Sequence, residues 1–120
     1  MSDIYSATFI FGKGQYDEEF YALDNVIAEH TRQTPGYLGL QSCEDRVQNL
    51  LINIYYWQGR QGLEMLMQDS VHLKAKQRHY NWLKGYQVII ARVEQSYGDG
   101  LLAQALDFPA DSSVSVRAIT

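Results

Sequence analysis

Three side chains in this sequence are of the types that take a proton and hold the anion left behind. His72 stands in "DSVHLKAKQRHYNW", residues 69–82, and Asn53 and Tyr55 alternate in "LLINIYYW", residues 50–57. An imidazole titrates near neutrality and can act as a general base there. An amide N–H and a phenolic O–H can stabilise an enolate or phenolate. Each also has an ordinary reading: His72 as a half-buried histidine, Asn53 as a satisfied sheet position. His79 and His30 read as structural. Seven residues separate His72 from His79, not the four of a two-histidine metal helix, so no metal site is expected. Cys43, the lone cysteine, reads as a buried apolar filler, and Met65 and Met67 as packing that fills core gaps. "GKGQY" lacks the phosphate-loop pattern and reads as a turn.

On a helical wheel started at Val71, the residues Val71, Ala75 and Trp82 fall within about 40°. His79 and His72 lie on one shoulder of that stripe, near roughly 80° and 100°. Both histidines are therefore expected at the border between core and water, where a cleft-lining group would stand.

The elements that must position these groups follow from the pattern. Tyr5 to Phe11 is β-branched and aromatic and reads as a strand. Asp17, Glu18 and Glu19 then open a helix whose Tyr16, Phe20, Leu23, Ile27 and Thr31 share a face. "TPGY" ends that helix at Thr34. Tyr37–Glu44 and Leu50–Trp57 form a hairpin, and "QGRQGLEMLM" a short helix. A second helical segment is capped by Asp69 or Ser70, runs to about Lys84 and is closed by Gly85. Gln87–Tyr97 is a last strand, and "LLAQALDF" forms a short helix beyond it. The order β-α-β-β-α-β predicts an α+β, ferredoxin-like fold with a four-stranded antiparallel sheet. Residues 1–98 form the domain and 99–120 a C-terminal extension that packs on a partner subunit or on its own sheet.

Both faces of that sheet are apolar. In "LLINIYYW", Leu50, Ile52, Ile54 and Tyr56 point one way and Leu51, Asn53, Tyr55 and Trp57 the other. Two helices cover one face, so a homodimer packed sheet against sheet is expected to cover the second.

The totals agree. A chain of 120 residues suits one domain with a real core. The net charge of −4 argues against nucleic acid as a partner. No apolar run is long enough for a membrane span. "MSDIYSATFIF" lacks the basic start of a secretory signal, so a cytoplasmic location is the default expectation. One cysteine leaves no intrachain disulfide. Nine tyrosines suit a partly wet pocket wall or interface.

"TPGYLGLQS", "YYW" at the end of the third strand, and "HLKAKQRHYNWLKGYQVIIARVEQSY" together resemble the antibiotic-biosynthesis monooxygenase family over roughly residues 5–97. The resemblance is carried by Pro35-Gly36-Tyr37-Leu38-Gly39, by Trp57 and by the pair His72 and Ala75. It implies the dimeric α/β-barrel form of the fold, with a cleft between helices and sheet. It also implies one of the family's reactions: oxidation of polycyclic aromatic phenols or quinols by dioxygen with no metal or flavin, haem degradation, or isomerisation of small substrates. The family's haem-degrading branch uses an Asn on the first strand, a Trp after the third and a His further on. Here those positions fall within "YSAT", at Leu66 and at Lys76, so haem degradation by that route is not expected.

Dioxygen, a triplet, reacts poorly with closed-shell organic molecules. Without a cofactor, an enzyme must first make an electron-rich anion in an apolar, water-poor pocket. The expected assignment is His72 as base, with Asn53 and Tyr55 holding the anion if their face lines the cleft. A non-catalytic ligand-binding or stress-associated dimer of the same fold is the alternative.

Overall fold

The computed structural model of the chain describes residues 3–102. The elements are β1 (Ile4–Lys13), α1 (Glu18–Gln33), β2 (Tyr37–Asp45), β3 (Leu50–Gln58), α2 (Gln61–Gln68), α3 (Ser70–Gln77), a 3-10 turn (His79–Asn81) and β4 (Leu83–Val93). The strands form one antiparallel sheet in the order β2-β3-β1-β4. This is the expected α+β ferredoxin-like fold. The connection α1 joins β1 to β2 past β3, and α2 with α3 joins β3 to β4 past β1. Past residue 102, the expected extension and its short helix lie outside the described residues.

Helix α1 starts where Asp17 accepts the Phe20 amide at 2.9 Å, with Glu18 and Glu19 in the first turn. It ends at Thr34, before Pro35, which cannot continue it. Each end is also pinned by an indole. The Trp82 Nε1–H donates to Asp17 Oδ1 at 3.0 Å, and the Trp57 Nε1–H donates to Thr34 Oγ1 at 2.8 Å. Trp57 has no exposed surface and forms the core with Leu63 and Leu66 of α2. Truncating a buried side chain of this size costs on the order of 3–5 kcal/mol. Gly62 permits the approach of α2, because a Cβ there would lie 2.6 Å from Trp57 Cδ1.

Helices α1 and α3 lie antiparallel. His30 and Asp69 pair at one end, and Arg78 and Glu19 at the other. Two irregularities shape the sheet beneath them. Tyr37 pairs with Trp57 but Gly39 pairs with Tyr56, so β2 carries one extra residue. In β4 a similar slip falls between the pairs Phe11–Tyr86 and Lys13–Leu83, where Gly85 has φ +86°. Both are β-bulges, which re-aim side chains at the cost of local pairing. Gly85 thus serves the bulge and does not close a helix.

The second helical segment is shorter than expected. Regular helix stops at Gln77, where the Arg78 amide is shared between the Lys74 and Ala75 carbonyls at 3.2 and 3.1 Å. His79, Tyr80, Asn81 and Trp82 are all weak helix formers. The bond from Trp82 to Asp17 then draws the chain into a tighter turn. β4 accordingly begins at Leu83 and ends at Val93, not Gln87 to Tyr97.

The register places Tyr5, Ala7, Leu51, Asn53, Tyr55, Trp57 and Ile90 on the face that meets the helices. The outer face carries Thr8, Ile10, Ile52, Ile54 and Tyr56, all part-exposed, and Ile89, which is 45% exposed. Three packing expectations are corrected. Cys43 is exposed, because it lies on the outer face of the edge strand β2. Met65 and Met67 are 50% and 43% exposed, since Leu63 and Leu66 take the inward positions of α2. No helix among the described residues is long and apolar enough to cross a membrane.

Candidate functional site

Asn53 and Tyr55 both lie on the helix-facing side of β3, two residues and about 7 Å apart along the strand. Asn53 Oδ1 accepts the Ser42 hydroxyl at 2.7 Å across the β2–β3 pair. That exposed bond takes one of the amide oxygen's two lone pairs and leaves the amide N–H groups as donors. The Tyr55 hydroxyl makes no hydrogen bond within the described residues. Burial, with smaller contributions from the Asp24 charge and from Tyr37, pushes its pKa up to about 12. Tyr55 is therefore a neutral donor throughout the physiological range.

Tyr55 also lines a cavity of about 150 Å³ under α1. The other walls are Asp24, Ile27, Ala28, Thr31 and Arg32 from α1, and Tyr37 and Leu40 from β2. The β2 bulge makes this possible. It turns Tyr37 and Leu40 to the same side, although they are three residues apart. Asp24 is exposed along one side, yet desolvation raises its carboxyl pKa above the ordinary 3.8. Arg32 does not neutralise it, because that guanidinium pairs with Glu29 at 2.6 Å. Burial likewise raises the Tyr37 hydroxyl above its usual value, against a smaller opposing effect of Arg32.

His72 sits in the first turn of α3, its amide bound to Asp69 Oδ1 at 3.0 Å. Its Nδ1 is shut off from solvent and has no hydrogen-bond partner among the described residues. Desolvation lowers its pKa below 6.5, as does Lys76, while Asp69 opposes the shift. The imidazole is neutral at physiological pH, and with the proton on Nε2 its Nδ1 offers a free lone pair. A buried polar atom with no partner is the exception in folded proteins, and it singles His72 out from the other histidines.

The structure thus brings Asn53 and Tyr55 onto one face. His72 and Asn53 are not among the residues lining the cavity under α1. His79 does not share a helix with His72, so the common shoulder drawn on the wheel does not exist. Its Nδ1 donates to the Lys76 carbonyl at 2.8 Å, and its ring packs on Tyr80 and Tyr86 at 3.9 and 4.8 Å. His30 bonds Asp69 at 2.6 Å and serves as a tie between helices.

Sequence reasoning passed over Asp24, Tyr37 and Arg32. For Asp24 a signal existed: it interrupts the apolar stripe between Leu23 and Ile27. No group of three or more His, Cys, Asp or Glu able to hold a metal ion occurs among the described residues.

No family model and no curated protein matches the chain. Solved structures do. A variant of SnoaB, a cofactor-independent oxygenase from Streptomyces nogalater, aligns over 78% of this chain and 96% of its own, with a TM-score of 0.62 and 14% identity. The chain has the SnoaB fold. PA3566 from Pseudomonas aeruginosa matches over 78% and 96% of the two chains, with a TM-score of 0.59 and 16% identity. A candidate antibiotic biosynthesis monooxygenase from Nitrosomonas europaea matches over 78% and 92%, with a TM-score of 0.59 and 10% identity. At these identities the SnoaB fold is what is shared, and the chemistry must be argued from this chain's own residues.

Proposed function

We propose that this protein is a cofactor-independent monooxygenase of the antibiotic-biosynthesis type, acting on a small, electron-rich phenol or quinol. His72 takes the phenolic proton, and Tyr55 and Asn53 donate hydrogen bonds to the resulting oxyanion. The phenolate passes an electron to dioxygen, and the two radicals combine at a ring carbon to give a peroxide. Loss of water leaves the quinone. A phenol and O2 thus give a quinone and H2O. One oxygen atom enters the ring carbonyl and the other enters water, and the substrate supplies all four electrons.

One observation carries the reading. The sheet face under the helices holds two neutral donors of fixed role, Asn53 oriented by Ser42 and Tyr55 with a pKa of about 12. Helix α3, packed on α1 and α2, carries a neutral imidazole with an unpartnered nitrogen. Donors aimed at an anion in a low-dielectric cleft stabilise it far more than water does. The fold shared with SnoaB supports the same reading. We assign cytoplasmic location and a homodimer to the same proposal, a second copy covering Ile10, Ile52, Ile54 and Ile89 on the outer face. Light scattering at micromolar concentration should give twice the chain mass.

The test is oxygen uptake with a panel of phenols and hydroquinones in the presence of a metal chelator. Uptake is expected with the parent protein. His72→Ala should lower it by about 10²–10⁴-fold, the ordinary contribution of a general base. Unchanged turnover in that variant removes His72 from the mechanism. No uptake with any compound favours a ligand-binding dimer.

A further inference from the structure

The cavity under α1 has a definite size and a definite polarity. At about 150 Å³ it matches the apolar protein cavities of about 150 Å³ that accept one benzene ring. A second fused ring would extend beyond that volume. Ile27, Ala28 and Leu40 supply apolar walls, and Tyr37 and Tyr55 supply aromatic ones. Three polar groups around it lack partners within the described residues: the Asp24 carboxylate and the hydroxyls of Tyr37 and Tyr55.

Asp24 is the unusual member. It is the one acidic group in the lining, and it stands where neither water nor a cation fully solvates it. Arg32, the only cation in the lining, is engaged by Glu29. Neither tyrosine hydroxyl donates a hydrogen bond to it. A partly desolvated carboxylate with no protein donor, on the wall of a cavity, is stabilised by a ligand that brings its own O–H donor. It also repels a ligand that brings a second carboxylate.

We infer that the cavity under α1 is a binding site for one hydroxylated aromatic ring, with Asp24 accepting the hydrogen bond from a ring hydroxyl. The ring lies between Leu40 and Ile27, and Tyr37 and Tyr55 are within reach of its oxygen atoms. Asp24 is then a specificity-determining residue, selecting one-ring phenols over their ethers, over ring carboxylates and over fused-ring phenols. His72 and Asn53 do not line this cavity, so ring binding to Asp24 is separate from the proton transfer assigned to His72 and does not rest on the oxygenase reading.

The test is isothermal titration of the full chain with phenol, hydroquinone, anisole, benzoate and 1-naphthol. Phenol and hydroquinone should bind at least tenfold more tightly than the other three. Asp24→Asn, which keeps the shape and loses the charge, should weaken phenol about tenfold and leave anisole unchanged. Ala28→Phe, which fills the cavity, should abolish binding of every compound, with circular dichroism confirming that the fold is retained. Equal affinity for phenol and anisole, or for phenol and 1-naphthol, overturns the inference, as does phenol binding that survives both variants. Phenol binding without oxygen uptake would leave the site standing and remove the oxygenase reading. Uptake with a fused-ring phenol and no binding of phenol or hydroquinone would do the reverse.

Discussion

The Ser42 hydroxyl donates to Asn53 Oδ1 at 2.7 Å, bridging adjacent strands on the face beneath the helices. This bond decides what Asn53 can do. With the oxygen engaged, the amide presents N–H groups and favours an anion over a neutral carbonyl. Ser42→Ala should free the amide to rotate and lower kcat by about tenfold, with KM nearly unchanged. Removing a donor outright typically costs about 10²–10³ in rate, so Asn53→Ala should cost more. Ser42→Thr, which restores the hydroxyl, should recover most of the loss. Steady-state kinetics on the three variants checks this.

Burial holds the His72 pKa below 6.5. A base works when unprotonated, so the acid limb of the kcat/KM profile should lie below pH 6.5, the value of a free imidazole. Stability should follow the same sign. The folded-state pKa is depressed, so the contribution is whole above about 6.5 and is lost as the pH falls through the folded value. His72→Leu should flatten denaturant midpoints across that window. A limb above pH 7 would contradict the placement of His72.

Asp69 joins two helices through one carboxylate. Oδ2 takes the His30 Nδ1–H at 2.6 Å, while Oδ1 takes the Val71 and His72 amides at 2.9 and 3.0 Å. Desolvation opposes its ionisation, but the His72 amide, the His30 bond and charge, and the Val71 amide outweigh it and lower the pKa below 3.8. Its contribution is therefore whole above 3.8 and lost as the pH falls through the lower folded value. Asp69→Ala removes a helix cap and should cost about 1–2 kcal/mol. Thermal melts at pH 7 should show a drop of several degrees, shrinking at strongly acid pH. His30→Ala should cost less, because the cap itself survives.

The first three strands, the hairpin and the first helix were legible because their periods are clean and their ends are marked by Asp17, Pro35 and Gly36. The alternation in "LLINIYYW" correctly put Asn53 and Tyr55 on one face with Trp57. Local pattern could not say which face met the helices, since both are apolar; that depends on Leu63 and Leu66 docking on Trp57. The end of α3 was missed because a tertiary bond from Trp82 to Asp17, 65 residues away, overrides the helical pattern. The β2 bulge has no signal beyond Gly39, so the pairing of Tyr37 with Leu40 across the cavity was invisible. Cys43 was misjudged because hydrophobicity does not distinguish an edge strand from a central one.

On this reading the chain's own residues bring a phenol and dioxygen together. The most direct measurement is turnover of an electron-rich one-ring phenol under ¹⁸O2 with a chelator present, followed by mass spectrometry of the quinone. One ¹⁸O atom in the new carbonyl, with the yield collapsing in His72→Ala, is the predicted result. A quinone that carries no label from O2, or the same labelled yield from His72→Ala, would contradict it.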